Sequence, residues 1–259
     1  MHVTRPTYLT PRPSSLRGAH VALHPVRARD LAELATIPDD DAWRLLLRPP
    51  AGPGVSAQAW LDDALRQVRR GTERCWLVRD RETGQLLGST RFLNMDLANR
   101  RLEIGSTWLL AEARGTVANA ESKLLLLDHA FHDLGVRRVH IQADVRNTRS
   151  RHAIERLGAT YEGVLRSHIV LPDGSSRDTA VYSILDSDWQ ELRPRLLMRA
   201  AGRGPDWRTR HATLLPLTAL GASGARGAQQ VVDRREALVA EVDREVIDVE
   251  LDVLAADVG

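Results

Sequence analysis

LEIGSTWLL at 102–110, AEARGTVANA at 111–120, ESKLLLLDHAFHDL at 121–134, RRVHIQADV at 137–145, RNTRS at 146–150 and RHAIERLG at 151–158 follow one another with only Gly135 and Val136 between. They read as strand, loop, long helix, strand, polar turn and short helix. On the long helix Leu124, Leu127, Phe131 and Leu134 recur at helical spacing and are expected to pack on a sheet, while Asp128, His132 and Asp133 face water and Gly135 closes the helix. The preceding loop carries Gly115 and ends at Asn119, a residue suited to an N-cap. Backbone N–H groups at such a helix start attract phosphate, although a cap without a ligand has the same sequence.

Working outward, HVALHPV at 20–26 alternates like a strand, and ARDLAELATI follows as a short helix opened near Asp30. In VSAQAWLDDALRQVRRG, Ser56 is placed to cap a helix, Ala59, Trp60, Leu61, Ala64, Leu65 and Val68 form its apolar stripe, and Gly71 ends it. RCWLVRD, QLLGSTRFLNM and RRLEIGSTWLL are three apolar runs separated by ETG and DLAN, which predicts an antiparallel meander.

The 259 residues, 43% hydrophobic and 27% charged, suit one large domain or a medium domain with an appendage. No apolar run reaches the roughly 18 residues of a membrane span, and Pro6, Pro11 and Pro13 interrupt the start where a signal sequence would be apolar, so the cytoplasm is the expected address. Cys75 is the sole cysteine, which excludes an intrachain disulfide and a cysteine zinc cluster. Lys123 is the sole lysine and follows Ser122, so no Walker loop exists and Schiff-base chemistry is disfavoured. No G-x-S-x-G elbow or G-x-G-x-x-G fingerprint is present. The arginines are scattered among nearly as many carboxylates, which argues against a nucleic-acid partner. His129 and His132 beside Asp128 and Asp133 lack an evident third ligand, so they read as a solvated face and no metal is expected.

Residues 229–259 hold nine acids and three bases, a charge of −6, which leaves +8 for residues 1–228. Residues 201–228 contain five glycines and two prolines, a linker composition. The expected organisation is an N-terminal segment 1–15, a domain 16–200, a linker 201–228 and an acidic extension 229–259. In the extension Ile247, Val249, Leu251 and Val253 alternate as in a strand, and 234–246 fits a helix equally. Its readings are a partner-binding or homodimer-forming segment and a poorly ordered tail.

LEIGSTWL, RGTVANAESKLLLLDHAF, DVRNTRSRHAIERLGA, YEGVLRSHIVLPDGS and RDTAVYSILDSDW stand in the order seen in the GNAT superfamily of acyl-CoA-dependent N-acetyltransferases. Over residues 16–190 the chain resembles the branch that includes ribosomal-protein N-terminal acetyltransferases. The resemblance implies an α/β (α+β) fold: a mixed, twisted, mostly antiparallel sheet flanked by helices and splayed between its fourth and fifth strands, residues 98–110 and 137–145. Acetyl-CoA would enter that gap as co-substrate, with an amine, either a small molecule or a protein N-terminus, as acceptor.

Acetyl transfer needs a neutral amine, and a lysine-like amine has a pKa of about 10, so a carboxylate must take a proton. Glu103 is the candidate base; it shares a strand face with Gly105, which would leave room for substrate. By pattern alone it also reads as a solvated glutamate. The resemblance assigns backbone donors for the oxyanion and the pantetheine arm to Trp108, Leu109 and Leu110. It puts the phosphate loop at Arg114, Gly115, Thr116, Val117, Ala118 and Asn119, with Val117 and Asn119 replacing glycines. The Val117 side chain and the Glu121 carboxylate would oppose pyrophosphate, and Lys123 would offset Glu121. Asn147 would orient the pantetheine amide, and Arg151 would reach a phosphate. Where many relatives have a proton-donating tyrosine this chain has Ile154, so Ser150 is assigned to hydrogen-bond the sulfur; as a helix N-cap it has a second reading. His168 and Tyr182 are expected to pack or hydrogen-bond structurally, Trp43, Trp60 and Trp76 to line core or groove, and the loop 39–54 with Asp39, Asp40 and Asp41 to face the acceptor. The alternative from another class is a catalytically silent member that binds CoA or a partner protein for regulation.

Overall fold

Periodicity becomes structure closely where the chain is described, which in this computed structural model is residues 14–37, 56–171 and 174–202. The strands there are β1 (Leu16–Arg17), β2 (Val21–Pro25), β3 (Arg74–Asp80), β4 (Leu86–Asp96), β5 (Arg101–Leu109), β6 (Arg138–Asp144), β7 (Thr160–Val170) and β8 (Ser176–Leu185). The helices are α1 (Leu31–Leu34), α2 (Ala57–Arg70), α3 (Val117–Asp128, continued by a π-helical turn His129–Asp133), α4 (Thr148–Glu155) and α5 (Asp186–Ala200). The expected loop 39–54 with Trp43, the segment 1–13, and the linker and acidic extension beyond Gly202 lie outside the described residues.

The strands form one sheet in the order β1-β2-β3-β4-β5-β6-β8-β7, antiparallel throughout except for β5 against β6. The predicted meander is β3-β4-β5. On one face Leu102, Ile104, Leu124, Leu127, Val139, Ile141 and Tyr182 make the larger core; a second cluster unites Leu34, Trp60, Leu61, Cys75, Leu77 and Trp108. Ser56 caps α2 by accepting from the Ala59 N–H at 3.1 Å, and Gly71 ends it at φ +72°, a conformation that favours glycine. Arg91 on β4 pins α2 to the sheet: its guanidinium donates to Glu73 (3.0 Å) and Asp63 (3.3 Å) and lies 4.9 Å from the Trp60 ring centre.

Helix α3 departs from its expected amphipathic form. Its cap is Thr116, whose Oγ1 accepts from the Ala118 N–H at 3.2 Å; Asn119 lies inside the first turn. Thr116 has the extended φ of −104° that a cap requires, and it comes directly after Gly115 at φ +73°. The helix is buried around most of its circumference, because β1 and β2 flank it and α5 covers it. Glu121 therefore does not face a phosphate site: its buried carboxylate accepts from the N–H groups of Ala19 (2.5 Å), His20 (2.9 Å) and Val21 (2.8 Å). A Cβ at Gly18 would stand 2.5 Å from Glu121 Oε1, so the turn closes on the carboxylate only with glycine there. Asp128 is not simply wet; it accepts from Trp189 Nε1 (3.1 Å) and Arg193 Nε (2.8 Å) and so docks α5.

His129 is likewise buried instead of solvated. Its Nε2 lies 3.2 Å from Arg74 and its Nδ1 2.6 Å from Asp133, while its ring stacks on Phe92. An arginine can only donate, so Nε2 accepts and Nδ1–H donates to Asp133. His132 pairs with Asp128 instead, and among the described residues no group of three metal-ligating side chains occurs.

Glu121 gathers three backbone donors in a buried place, so Glu121→Ala is expected to cost about 3 kcal/mol through orphaned amides. Urea unfolding of the full chain measures it; a loss under about 0.5 kcal/mol would show that water satisfies the turn equally well.

Candidate active site

Strands β5 and β6 pair at three positions only, Arg101↔Arg138, Leu102↔Val139 and Glu103↔His140, although β5 continues to Leu109 and β6 to Asp144. The cause lies in the β4–β5 ladder. Ser89 pairs with Trp108 but Arg91 with Gly105, so two steps on β4 face three on β5. The surplus residue is a bulge, and Ser106 within it adopts φ +44°, a left-handed conformation uncommon outside glycine. β4 keeps hold of β5 beyond the bulge, and a Cβ at Gly88 would collide with the Trp108 carbonyl oxygen. β6 meanwhile stays paired with β8 along its whole length. The two strands therefore part after Glu103, and these are the strands where the opening was expected; the two-residue β1 makes them fifth and sixth by count.

The lip of the opening is β5 backbone. The Leu110 N–H is spent on the Leu87 carbonyl at 2.9 Å, which removes it from the expected set of free donors. The Leu109 carbonyl turns the other way and accepts from Arg114 Nε at 2.7 Å. Backbone groups alternate along a strand, so the Leu109 N–H faces the opening with its carbonyl, whereas Trp108 faces β4. Its indole instead packs edge-on against Trp60 at 6.0 Å.

At the mouth stands Glu103. Its Oε2 accepts from Asn94 Nδ2 at 2.7 Å, and Gln142 Nε2 approaches it at 3.4 Å. The space beside Gly105 is not open to substrate as expected: a Cβ there would stand 2.8 Å from Leu93 Cδ1 and 3.0 Å from Glu103 Oε1. Glycine is needed so that the carboxylate can lie along the strand. Asn94, at φ +48°, also lines a cavity of about 200 Å³ with Gln67, Thr72, Glu73 and Met95.

Beyond the opening, the α3 start fits an anion. Gly115 has φ +73° and nothing lies within 4 Å of the place a Cβ would take there, and the first-turn amides lack intrahelical partners. The Val117 side chain is buried in the larger core. Asn147 caps α4, its Oδ1 accepting from the Ser150 N–H at 3.0 Å, so its Nδ2 is left to donate elsewhere. Ser150 is therefore inside the helix, not its cap. Arg151 does not extend toward a phosphate: it donates to the Tyr182 hydroxyl at 3.1 Å and approaches the Val145 carbonyl at 3.4 Å. The Tyr182 hydroxyl in turn donates to Glu155 at 3.0 Å, and His168 Nδ1 is 3.1 Å from Thr179, the structural roles expected of both. Ile154, in the place of the missing tyrosine, is core.

Residues 20–160 match the family described as "Acetyltransferase (GNAT) domain". The chain belongs to this family. "Putative ribosomal N-acetyltransferase YdaF" of Bacillus subtilis (strain 168) is 35% identical over 107 residues, 41% of this chain and 57% of that protein. The solved structure of a putative acetyltransferase from T. thermophilus is 34% identical with a TM-score of 0.63, covering 72% of this chain and 97% of its own. A GCN5-related N-acetyltransferase from Brucella melitensis is 29% identical at the same TM-score, covering 73% and 86%. No helix among the described residues of this GNAT domain is long and apolar enough to cross a membrane.

Lys123, expected to offset Glu121 beside the phosphates, is engaged elsewhere in the domain. Lys123 points from α3 into the sheet, donating to Thr107 Oγ1 at 2.7 Å and approaching Thr90 Oγ1 at 3.4 Å, with the two hydroxyls 2.9 Å apart. Thr107 is the residue after Ser106, so the amine supports the bulge from behind and cannot offset Glu121. Burial pushes the Lys123 amine down to about 7. Nothing local marks it, since α3 reads as leucine-rich on both sides.

Between about pH 7 and the ordinary lysine value, the unfolded chain holds a proton that the folded GNAT domain lacks, so stability rises with pH. With one lysine in the chain, the Lys123 contribution to that slope is expected to average about 1.2 kcal/mol per pH unit from pH 7.5 to 8.5, close to the one-proton value of about 1.4. Lys123→Met should flatten it. Denaturant titrations of the wild type and Lys123→Met at several pH values check this; both keep the Cys75 thiol, raised by burial, whose opposite slope cancels in the difference.

Proposed function

We propose that the domain spanning 16–200 is an N-acetyltransferase that moves the acetyl group of acetyl-CoA to a primary amine, of a small molecule or a protein N-terminus, by direct attack in a ternary complex. The observation that carries this reading is the opening of β5 from β6 immediately beyond Glu103. A backbone edge that ends its pairing between two continuous ladders has donors and acceptors for an extended amide chain such as pantetheine. The α3 start then receives the pyrophosphate on the first-turn amides of Val117 and Asn119 and on the Gly115–Thr116 turn, and Asn147 Nδ2 donates to the arm.

Chemically, the acceptor nitrogen attacks the thioester carbonyl, the C–S bond breaks, and the amine proton leaves to Glu103 directly or through water. Asn94 and Gln142 orient the carboxylate for that task. The Leu109 N–H faces the charge that develops on the carbonyl oxygen. The Ser150 hydroxyl hydrogen-bonds the departing sulfur, whose thiol has an ordinary pKa of about 8.5. A serine is a weak acid, so solvent completes that protonation. The cavity beside Asn94 lies on the acceptor side.

Glu103→Gln is expected to retain acetyl-CoA binding, read as a thermal shift, and to lower thiol release at neutral pH at least tenfold, in line with about 10²-fold general-base help. Unchanged turnover removes Glu103 as the base. A flat thermal-shift titration up to millimolar acetyl-CoA, with no thiol released for any amine, rejects the enzyme in favour of a silent regulatory member.

A further inference from the structure

Arg177 on β8 is a buried guanidinium whose hydrogen-bonding fork is largely unspent. Along β8, Ala180, Tyr182 and Ile184 enter the larger core, so Arg177, Thr179, Val181 and Ser183 face the opposite side of the sheet. On β6, Val139, Ile141 and Ala143 enter that core, so His140, Gln142 and Asp144 share the side of Arg177. Gln142 is the residue that approaches Glu103. Arg177 thus lies on the acceptor side, and Glu103 and Asp144 are the carboxylates whose charge it feels.

Its side chain is only 7% exposed, and its ion pair among the described residues is long, Nε to Asp144 Oδ2 at 3.9 Å. Its Nε has no hydrogen-bond partner among the described residues. Asp144 is already taken by Arg146, which approaches at 2.7 Å and 3.0 Å through its guanidinium and at 2.8 Å through its backbone N–H. Arg91, equally buried, shares an unpartnered Nε, but its Nη1 is held by two carboxylates and its guanidinium lies over an indole, and Arg138 is held by Glu162. Burial lowers the Arg177 pKa, the direction expected when a cation lacks a close anion. Burying a charge without a hydrogen-bonded partner is costly.

We infer that Arg177 receives a carboxylate of the acceptor, so that the acceptor is an amine carrying a free carboxylate, either an amino acid or a peptide N-terminus with an acidic side chain. This rests on the acetyltransferase reading and narrows it. A guanidinium binds a carboxylate in bidentate fashion, a geometry a lysine does not reproduce. Arg177 is a buried cation on the acceptor side, which favours an acceptor that carries a carboxylate. A polyamine brings only positive charge to that side.

The test is thiol release by the full chain with acetyl-CoA and matched amines: phenylalanine against phenylalaninamide, the dipeptide Ala-Glu against Ala-Gln, and spermidine. The expected result is a kcat/KM at least tenfold higher for the carboxylate member of one pair, and which pair responds separates the two sources. Arg177→Met and Arg177→Lys should erase the preference by raising KM at least tenfold, with kcat within about twofold and the acetyl-CoA thermal shift unchanged. Equal rates within both pairs, a preference for spermidine, or a preference that survives Arg177→Met overturns the inference while leaving the acetyltransferase intact. No turnover of any amine removes both. Should Arg177→Met fail to fold, the wild-type pairs alone decide.

Discussion

One surplus residue in β5 governs the domain. The bulge at Ser106 turns the second half of the strand away from β6 while β4 and β8 hold their own neighbours, so the seam between β5 and β6 opens. Unpaired backbone in a protein interior is costly, and the structure offsets part of that cost with side chains. Arg114 takes the Leu109 carbonyl, Lys123 supports Thr107, and Gln142 bridges from β6 to Glu103. The opening consequently has defined partners on both sides.

Helix α3 carries that arrangement to the rest of the molecule. Thr116 sets its start beside the opening, Glu121 gathers the β1–β2 turn, Lys123 reaches the bulge, and Asp128 holds α5. These polar contacts all lie in or near the interior, where a lost partner costs more than a surface ion pair contributes. The apolar residues between them supply the burial that holds the helix on the sheet. A helix that serves four neighbours has little wet surface left, which is why Glu121 and His129 are buried although a one-sided amphipathic helix would expose them.

Much of the domain was legible from the chain because the physics concerned is local. Ser56 and Gly71 bound α2, Gly135 closes α3, and the three runs of the meander form at their expected places. Glu103 was legible as a carboxylate beside a glycine, but the role of that glycine was not, since Leu93 comes from the neighbouring strand. Thr116 displaced Asn119 as the cap because Gly115 fixes where the chain turns into the helix. Asn94, Gln142 and Arg177 went unseen, and Lys123 was assigned to another partner, since they come from different elements and carry no shared motif.

The sequence by itself determined which segments become strand or helix, where most of them stop, and, through the order of its five blocks, the family. Those properties follow from side-chain periodicity, caps and turn residues acting over a few positions. Tertiary structure alone decided the register slip that opens the seam and the burial of the one lysine. It also decided which carboxylates Arg91 obtains and Arg177 lacks. Such outcomes depend on contacts between residues as far as a hundred positions apart, as with Glu121 and Val21, and no short-range preference encodes them.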